Sequence, residues 1–379
     1  MTSNSTNCNR ILVTGGAGFI GSSLVRAIIK SKKYELVIVL DHHLDKNKIK
    51  QIADTSHSTF PIVSQANSSI TFLEADMLDI SSVKKAVNKC DFVFHLAGNP
   101  DVRKGSIDTK LDFNHNLVST YNLLEALRVS NGCKKLIFTS TSAVYGDSDL
   151  IPVTEQCCNV SPVSLYAASK LACESLISGY CHIFDISAIV LRLANVVGPT
   201  STHGIIYDLV TKLSSTHPLM SGKNNNVNTY EEYYLDVLGD GKQAKSYLFI
   251  DDCINCLLTC LEIIEKTHSR FEIFNAGPND ILSVSDIAKI VIKELRLNNM
   301  VIAKPTGGVE GGRGWKGDVK QILLDSSKLA ALGWKPKYNS KGAVYQTARK
   351  MANIQAENKA KGGKGKVVYK KGMRATLST

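Results

Sequence analysis

Along the first two-thirds of the chain, short runs of consecutive apolar residues alternate with stretches whose apolar positions recur every three or four residues. The runs are RILV at 10–13, YELVIVLD ending at Asp41, SITFL from Ser69 to Leu73, DFVFHLAG from Asp91 to Gly98, KKLIFTSTSAVYG from Lys134 to Gly146, AIVLRLANVVGP from Ala188, and FEIFNAG from Phe271 to Gly277. Unalternated runs of this length predict strands buried on both faces. Between them, SSLVRAIIK (Ser22 to Lys30), SSVKKAVNKC, NLVSTYNLLEALRVS (Asn116 to Ser130) and SPVSLYAASKLACESLISGY (Ser161 to Tyr180) carry helical spacing, the last entered through a proline. The alternation predicts an α/β fold built on a doubly wound parallel sheet.

Past Pro199 the alternation loses its regularity. The expected organisation is a main domain over 10–198, rejoined by 244–276, and a smaller mixed α/β domain over 199–243 and 277–340. Residues 341–379 read as a basic, flexible tail. Residues 45–69 form a polar stretch longer than most connections, and 221–237 read as an Asn-rich surface insertion. There is no internal repeat.

Composition narrows the class. The 379 residues are 44% apolar and 21% charged, enough to bury a large core. No apolar run reaches membrane-spanning length, and the first ten residues (MTSNSTNCNR) lack the apolar stretch of a signal peptide, so a cytoplasmic location is the default expectation. The net charge of +11 is concentrated in 351–379, where seven Lys or Arg accompany one Glu. The rest of the chain has no basic stripe, so no specific nucleic-acid partner is expected. Ten cysteines raise the question of metal or disulfides. Cys253, Cys256 and Cys260 fall on one helical face, and no second CxxC or histidine cluster accompanies them, so they read as core and no metal site is expected.

The most specific stretch is TGGAGFIG. Gly15, Gly18 and Gly21 follow a predicted strand and open a predicted helix, with Phe19 and Ile20 in its first turn. The first glycine permits the tight turn, the second lets backbone approach a pyrophosphate, and the third lets helix pack on strand. The helix N-terminus offers free N–H groups to the phosphates. Asp41 ends the next strand, where a carboxylate accepts the adenosine ribose hydroxyls and repels a 2′-phosphate, so the pattern predicts NAD rather than NADP. Asp76 lies just past a third strand, suited to the adenine amino group, and also fits the N-cap of the helix that follows. The small-residue turn after DFVFH is where backbone must pass close to the dinucleotide.

Tyr166 and Lys170 are four apart on a predicted helix, hence on one face. A lysine cation near a phenol favours the phenolate, lowering the tyrosine pKa toward that of a useful base, and the same lysine can hold a nicotinamide ribose. Thr141 ends the strand 25 residues upstream and can bond the same substrate oxygen. A YxxxK spacing alone also occurs on solvated helix faces; the preceding glycine loop and hydroxyl-ended strand give it meaning here.

These motifs, with HLAGNPDVRKGS, FTSTSAVYGD, YAASK, LRLANVVGP, LGDGKQAKSY and GDVKQILLDSSKLAALGWKP, run in order over about residues 10–340. Together they resemble the extended short-chain dehydrogenase/reductase superfamily, in its NAD-dependent epimerase/dehydratase family, and are most similar to the UDP-glucose 4-epimerases of archaeal type. The resemblance implies a Rossmann domain with a smaller nucleotide-sugar domain, and epimerisation at C4 through a 4-keto sugar with Tyr166 as base, Thr141 supporting the oxygen and bound NAD holding the hydride. It also implies that Met77 with Asp76 contacts adenine, that Leu96, Ala97, Gly98 and Asn116 line the dinucleotide, and that Asn195 and Asp318 hold the nucleotide diphosphate end. A homodimer follows from the same resemblance, through the helices bearing Asn116–Ser130 and Ser161–Tyr180.

Three positions depart from that family pattern. Lys245 stands in AKSY where an arginine usually meets the diphosphate, keeping the charge but losing the bidentate fork. Trp315 takes another arginine's place, with Arg313 the nearby candidate substitute. His115 replaces an asparagine before Asn116. Ser142 and Ala143 follow Thr141 where dehydratases carry Asp-Glu and decarboxylating relatives carry a glutamate, which disfavours elimination and decarboxylation. Ile322 aligns with a position where tyrosine limits the sugar's C2 substituent, so N-acetylhexosamine substrates are expected to enter. The alternatives are another nucleotide-sugar enzyme of the superfamily, such as a reductase or an epimerase at another carbon, and a non-catalytic NAD-binding regulator, against which the intact Thr141, Tyr166 and Lys170 speak.

Overall fold

The computed structural model describes residues 9–53, 69–216 and 233–360. The tail 361–379, most of the expected insertion (221–232) and part of the polar stretch (54–68) lie outside the described residues.

Seven parallel strands form the main sheet: β1 (Arg10–Thr14), β2 (Leu36–Asp41), β3 (Ser69–Glu74), β4 (Phe92–His95), β5 (Lys135–Thr141), β6 (Ser187–Leu193) and β11 (Phe271–Ala276). Their order is β11-β6-β5-β4-β1-β2-β3. The order reverses between β1 and β4, and in such sheets the crevice beyond the strand carboxyl ends at the reversal is where ligands bind. The inner strands are largely apolar because helices cover both faces, whereas the edge strand β3 exposes Ser69, Thr71 and Glu74. One core packs around Ile11, Val13, Phe92, Phe94 and Leu191, the other around Leu12, Val93, Leu136, Phe138 and Val190, so alternate residues of the same strands serve the two sides. Cys253, Cys256 and Cys260 are fully buried along the apolar face of the helix Ile250–Lys266.

The smaller part carries short strands. β8 (Tyr233–Val237) pairs in parallel with β13 (Val301–Pro305), and β9 (Ala244–Lys245) lies between β12 (Leu282–Ser283) and β14 (Gln321–Ile322). β7 (Asn195–Val197) pairs with β10 (Tyr247–Phe249), carrying the chain back to the main sheet. The return therefore begins at Tyr247, and Ala244–Lys245 belongs to the smaller part.

Several expected boundaries move. Residues 233–237 are strand rather than surface insertion, and Lys46–Ala53 is a helix inside the polar stretch. The flexible tail is corrected most: Ser340–Ala360 is a helix, with Ala343, Val344, Ala348 and Met351 buried. The tyrosine helix runs Leu165–Ile183, later than Ser161, because Ser164 caps it by accepting from Ala167 N at 3.2 Å. The expected helix from Asn116 is a π-turn over Phe113–Val118 followed by α-helix over Ser119–Val129. No described helix is long and apolar enough to cross a membrane.

Candidate active site

A cleft of about 760 Å³ opens at the carboxyl ends of β1, β4 and β5, between the main sheet and the smaller part. Gly15, Gly18, Phe19, Ile20 and Gly21 line one end. Gly15 has φ +67°, and a Cβ there would sit 2.7 Å from Ala97 N. A Cβ on Gly21 would overlap Gly15 O and lie 2.8 Å from Gly16 Cα. Gly18 is the N-cap of the helix Phe19–Ser31 and has no side chain to occupy its N–H groups, which stay available to an anion. The turn has no room for a Cβ at Gly15 or Gly21 and opens onto the helix N-terminus, so it fits a dinucleotide's pyrophosphate.

Asp41 lines the same end at 7% exposure. It has a second task that sequence spacing did not reveal, since its Oδ2 accepts from Ala17 N at 2.9 Å and fastens the glycine loop. Asp76 and Met77 also line the cleft. Asp76 accepts from Leu78 N at 2.9 Å and is not the N-cap of the next helix; Asp79 is, accepting from Ser81 N at 3.0 Å. Leu96, Ala97 and Gly98 lie along the floor.

Thr141, Tyr166 and Lys170 meet in the middle of the cleft. β5 delivers Thr141 at its carboxyl end, where the hydroxyl accepts from Ala143 N at 3.2 Å and caps the short turn that follows. Lys170 is 4% exposed, and its ammonium donates to Thr139 O at 3.0 Å, which pins the tyrosine helix to β5. Burial pushes the Tyr166 phenol up to about 12, with the Asp112 carboxylate adding to the rise and the Thr141 hydroxyl pulling against it. The expected downward pull of Lys170 on the phenol is not among the influences that set it, and burial draws the Lys170 ammonium below its own ordinary value.

Beneath this group, Glu174 and Arg192 make a buried ion pair at 2.7 Å, with Ser140 Oγ donating to the same carboxylate. Burial opposes the Arg192 charge, and Glu174 more than offsets it, so the guanidinium stays above its usual range. The pair joins β5, β6 and the tyrosine helix, and sequence reasoning missed it because its members are distant in the chain.

At the other end, Asn195, Lys245, Trp315 and Asp318 line the cleft. Lys245 Nζ lies 2.5 Å from Asp318 Oδ1, with Asp318 4% exposed. The Lys245 ammonium also sits 5.6 Å from the Trp315 ring centroid. Arg313 does not substitute for the missing arginine: it pairs with Asp147 at 2.7 Å and donates to Asp318 O at 2.6 Å, away from the cleft lining. Ile322 is corrected too. It is 3% exposed within the apolar core and outside the cleft lining, not on the wall where the resemblance placed it. Asn116 likewise does not face the cleft; it is 1% exposed, bonded to Asn99 N and Ser169 Oγ, while its neighbour His115 lines the wall. A π-turn spans both residues, and one extra residue in a turn rotates the side chains that follow.

The chain is similar to known nucleotide-sugar enzymes over nearly its whole length. A Methanocaldococcus jannaschii protein assigned as a UDP-glucose 4-epimerase is 29% identical over 350 residues, covering 90% of this chain and 98% of that protein. A crystal structure of a UDP-galactose 4-epimerase superposes with TM-score 0.72 at 33% identity, covering 91% of this chain and 99% of that one. The Bacillus cereus UDP-glucuronic acid 4-epimerase, solved with UDP-glucuronic acid and NAD, superposes with TM-score 0.73 at 27% identity over the same shares. The model of the NAD dependent epimerase/dehydratase family matches residues 11–277, from the first strand of the main sheet through the last. This chain therefore belongs to that NAD-dependent family.

Proposed function

We propose that the protein interconverts nucleotide hexoses epimeric at C4, with UDP-glucose and UDP-galactose as the first candidates. The observation that carries this reading is the convergence of Thr141, Tyr166 and Lys170 beside the glycine cradle, with Ser142 and Ala143 following Thr141. That pair has no acid–base capacity, so the site has the groups to take a proton from an alcohol but not those to eliminate water. Tyr166 as phenolate takes the proton of the sugar 4-hydroxyl, and Thr141 holds that oxygen. Lys170 keeps positive charge beside both and braces the helix against Thr139. NAD supplies the acceptor and donor of the C4 hydride. Lys245, set by Asp318, and Asn195 anchor the diphosphate end, so the sugar can turn over between hydride departure and return. The structural similarity to a UDP-galactose 4-epimerase supports the hexose choice.

Proton NMR of the anomeric signals tests this reading. Purified protein is incubated separately with UDP-glucose, UDP-galactose, UDP-glucuronate and UDP-GlcNAc. The expected result is the C4 epimer of a UDP-hexose, with Tyr166→Phe at least about 10²–10³ slower yet still binding NAD. Turnover only on UDP-glucuronate or UDP-GlcNAc would move the substrate assignment, and full activity in Tyr166→Phe would overturn the mechanism. The homodimer belongs to this same reading. It is supported by exposed apolar side chains on the two helices expected to pair, including Tyr121, Val129, Leu165 and Ile183, and sedimentation tests it.

A further inference from the structure

The carboxylate of Asp112 is used by none of the steps above, and it lies deep in the protein. It ends the short helix Thr109–Asp112, just before the π-turn, and is 1% exposed. Its Oδ1 accepts from Asn99 Nδ2 at 2.8 Å and from Asn116 Nδ2 at 3.3 Å. Its Oδ2 is buried without a partner among the described residues, packed against Gly105, where a Cβ would overlap it. A buried carboxylate with an unpaired oxygen is costly, so its retention calls for a role.

Its neighbours reach the catalytic group from two sides. Asn116 Oδ1 accepts from Asn99 N at 2.9 Å, fixing the turn after Gly98. Asn116 Nδ2 donates to Ser169 Oγ at 2.9 Å, and Ser169 donates to Tyr166 O at 2.8 Å. Asn116 Oδ1 and Lys170 Nζ crowd the same side of Gly98, at 2.7 and 3.4 Å from where a Cβ would stand. We propose that Asp112 is a positioning residue for the reaction: its carboxylate fixes Asn99 and Asn116 under the cofactor turn, and its charge tunes the Tyr166–Lys170 pair. The proposal rests on the epimerase reading.

The charges facing these groups come from several elements. Burial raises the Asp112 carboxyl, and Asn99, Asn116 and the Lys170 ammonium pull it back, with Asp101 adding a smaller rise. Tyr166 faces Asp112, Thr141 of β5 and Cys173 of its own helix. Lys170 faces Asp112, Cys173 and Glu174, and its ammonium bears on His95 of β4. The Asp112 anion raises both the phenol and the ammonium. Removing it lowers both, so the two limbs of the pH profile, which belong to the Tyr166–Lys170 pair together, move the same way.

Asp112→Asn keeps the shape and deletes the charge. The pH profile of kcat is recorded with the NAD-loaded enzyme, alongside an ultraviolet difference titration of the phenol against the matching Tyr166→Phe protein. Both limbs should move to lower pH by about one pH unit, and the phenol midpoint should fall with them. A lower plateau with both limbs in place would overturn the proposal, because a purely structural side chain changes amplitude and not titration. Should the wild type turn over no nucleotide sugar, the phenol titration still decides the role of Asp112, so the two readings fail separately. If Asp112→Asn does not fold, Asp112→Ser takes its place with the same expected shift, and failure of both neutral variants to fold would also overturn the charge role.

Discussion

Replacing Gly21 by alanine would test the cofactor cradle at its tightest point. The new methyl would overlap Gly15 O and stand 2.8 Å from Gly16 Cα and 2.9 Å from Gly15 C, where ordinary carbon contacts lie near 3.5–4.0 Å. Those neighbours are backbone in a turn locked by Gly15 at φ +67° and by Asp41 bonded to Ala17 N. Relief therefore needs the whole turn to shift by on the order of 1 Å, and overpacking of this kind costs about 1–3 kcal/mol. The gain in helix propensity, about 1 kcal/mol, offsets part of that. The larger effect should fall on NAD. A displaced turn mis-aims the N–H groups meant for the pyrophosphate, and losing one hydrogen bond to a charged group costs about 1.5–3 kcal/mol, or roughly 10–150-fold in Kd. Calorimetric titration of NAD into wild type and Gly21→Ala reads the affinity, and thermal melts read the fold. Gly179→Ala is the control: it is helical, its Cβ would meet nothing within 4 Å, and it should raise stability slightly without changing NAD affinity. Equal NAD affinity in Gly21→Ala and wild type would refute the cradle.

Two further outcomes follow from buried charge. His95 is fully buried between Thr14 and Thr120, and burial first, with the Lys170 charge second, holds its imidazole down to about 3. Its folded pKa lies below the unfolded value, so its contribution to stability is complete above about pH 6.5 and is lost as pH falls toward 3. By pH 5 the loss should reach about 2 kcal/mol, and His95→Gln should flatten that part of the melting profile; parallel profiles would count against it. Arg192→Met leaves the Glu174 carboxylate buried and unpaired, which should cost about 3–5 kcal/mol. Adding Glu174→Leu should recover a good part of this, and a double variant no more stable than the single one would show that the pair is not the source.

How much of this was legible depended on whether the information was local. β1, β2, β4 and β6 announced themselves because strands covered on both faces carry runs of apolar residues, and the glycine loop because its constraints are steric and span a few residues. The helix Ser340–Ala360 was hidden by its composition: its buried face mixes small and polar residues (Ser340, Ala343, Thr347, Ala348) with only Val344 and Met351, and its basic residues read with the lysine-rich tail that follows. Asn116 falls away from the cleft, while His115 lines it, because a π-turn adds a residue that no periodicity announces. Ile322 lay at the right place in the alignment of motifs, yet a short strand beside β9 turns it into the core. Asp112, Glu174 and Arg192 gain their meaning only from partners far along the chain.

The central claim is that one hydride leaves and returns to the same sugar carbon within the cleft, and an isotope tests it most directly. UDP-glucose carrying deuterium at C4 is incubated with the enzyme in ordinary water, and the product sugar is analysed by NMR and mass spectrometry. The account predicts UDP-galactose that retains the deuterium at C4. Epimer that has lost it to solvent, or deuterium accumulating on free cofactor, would contradict the account.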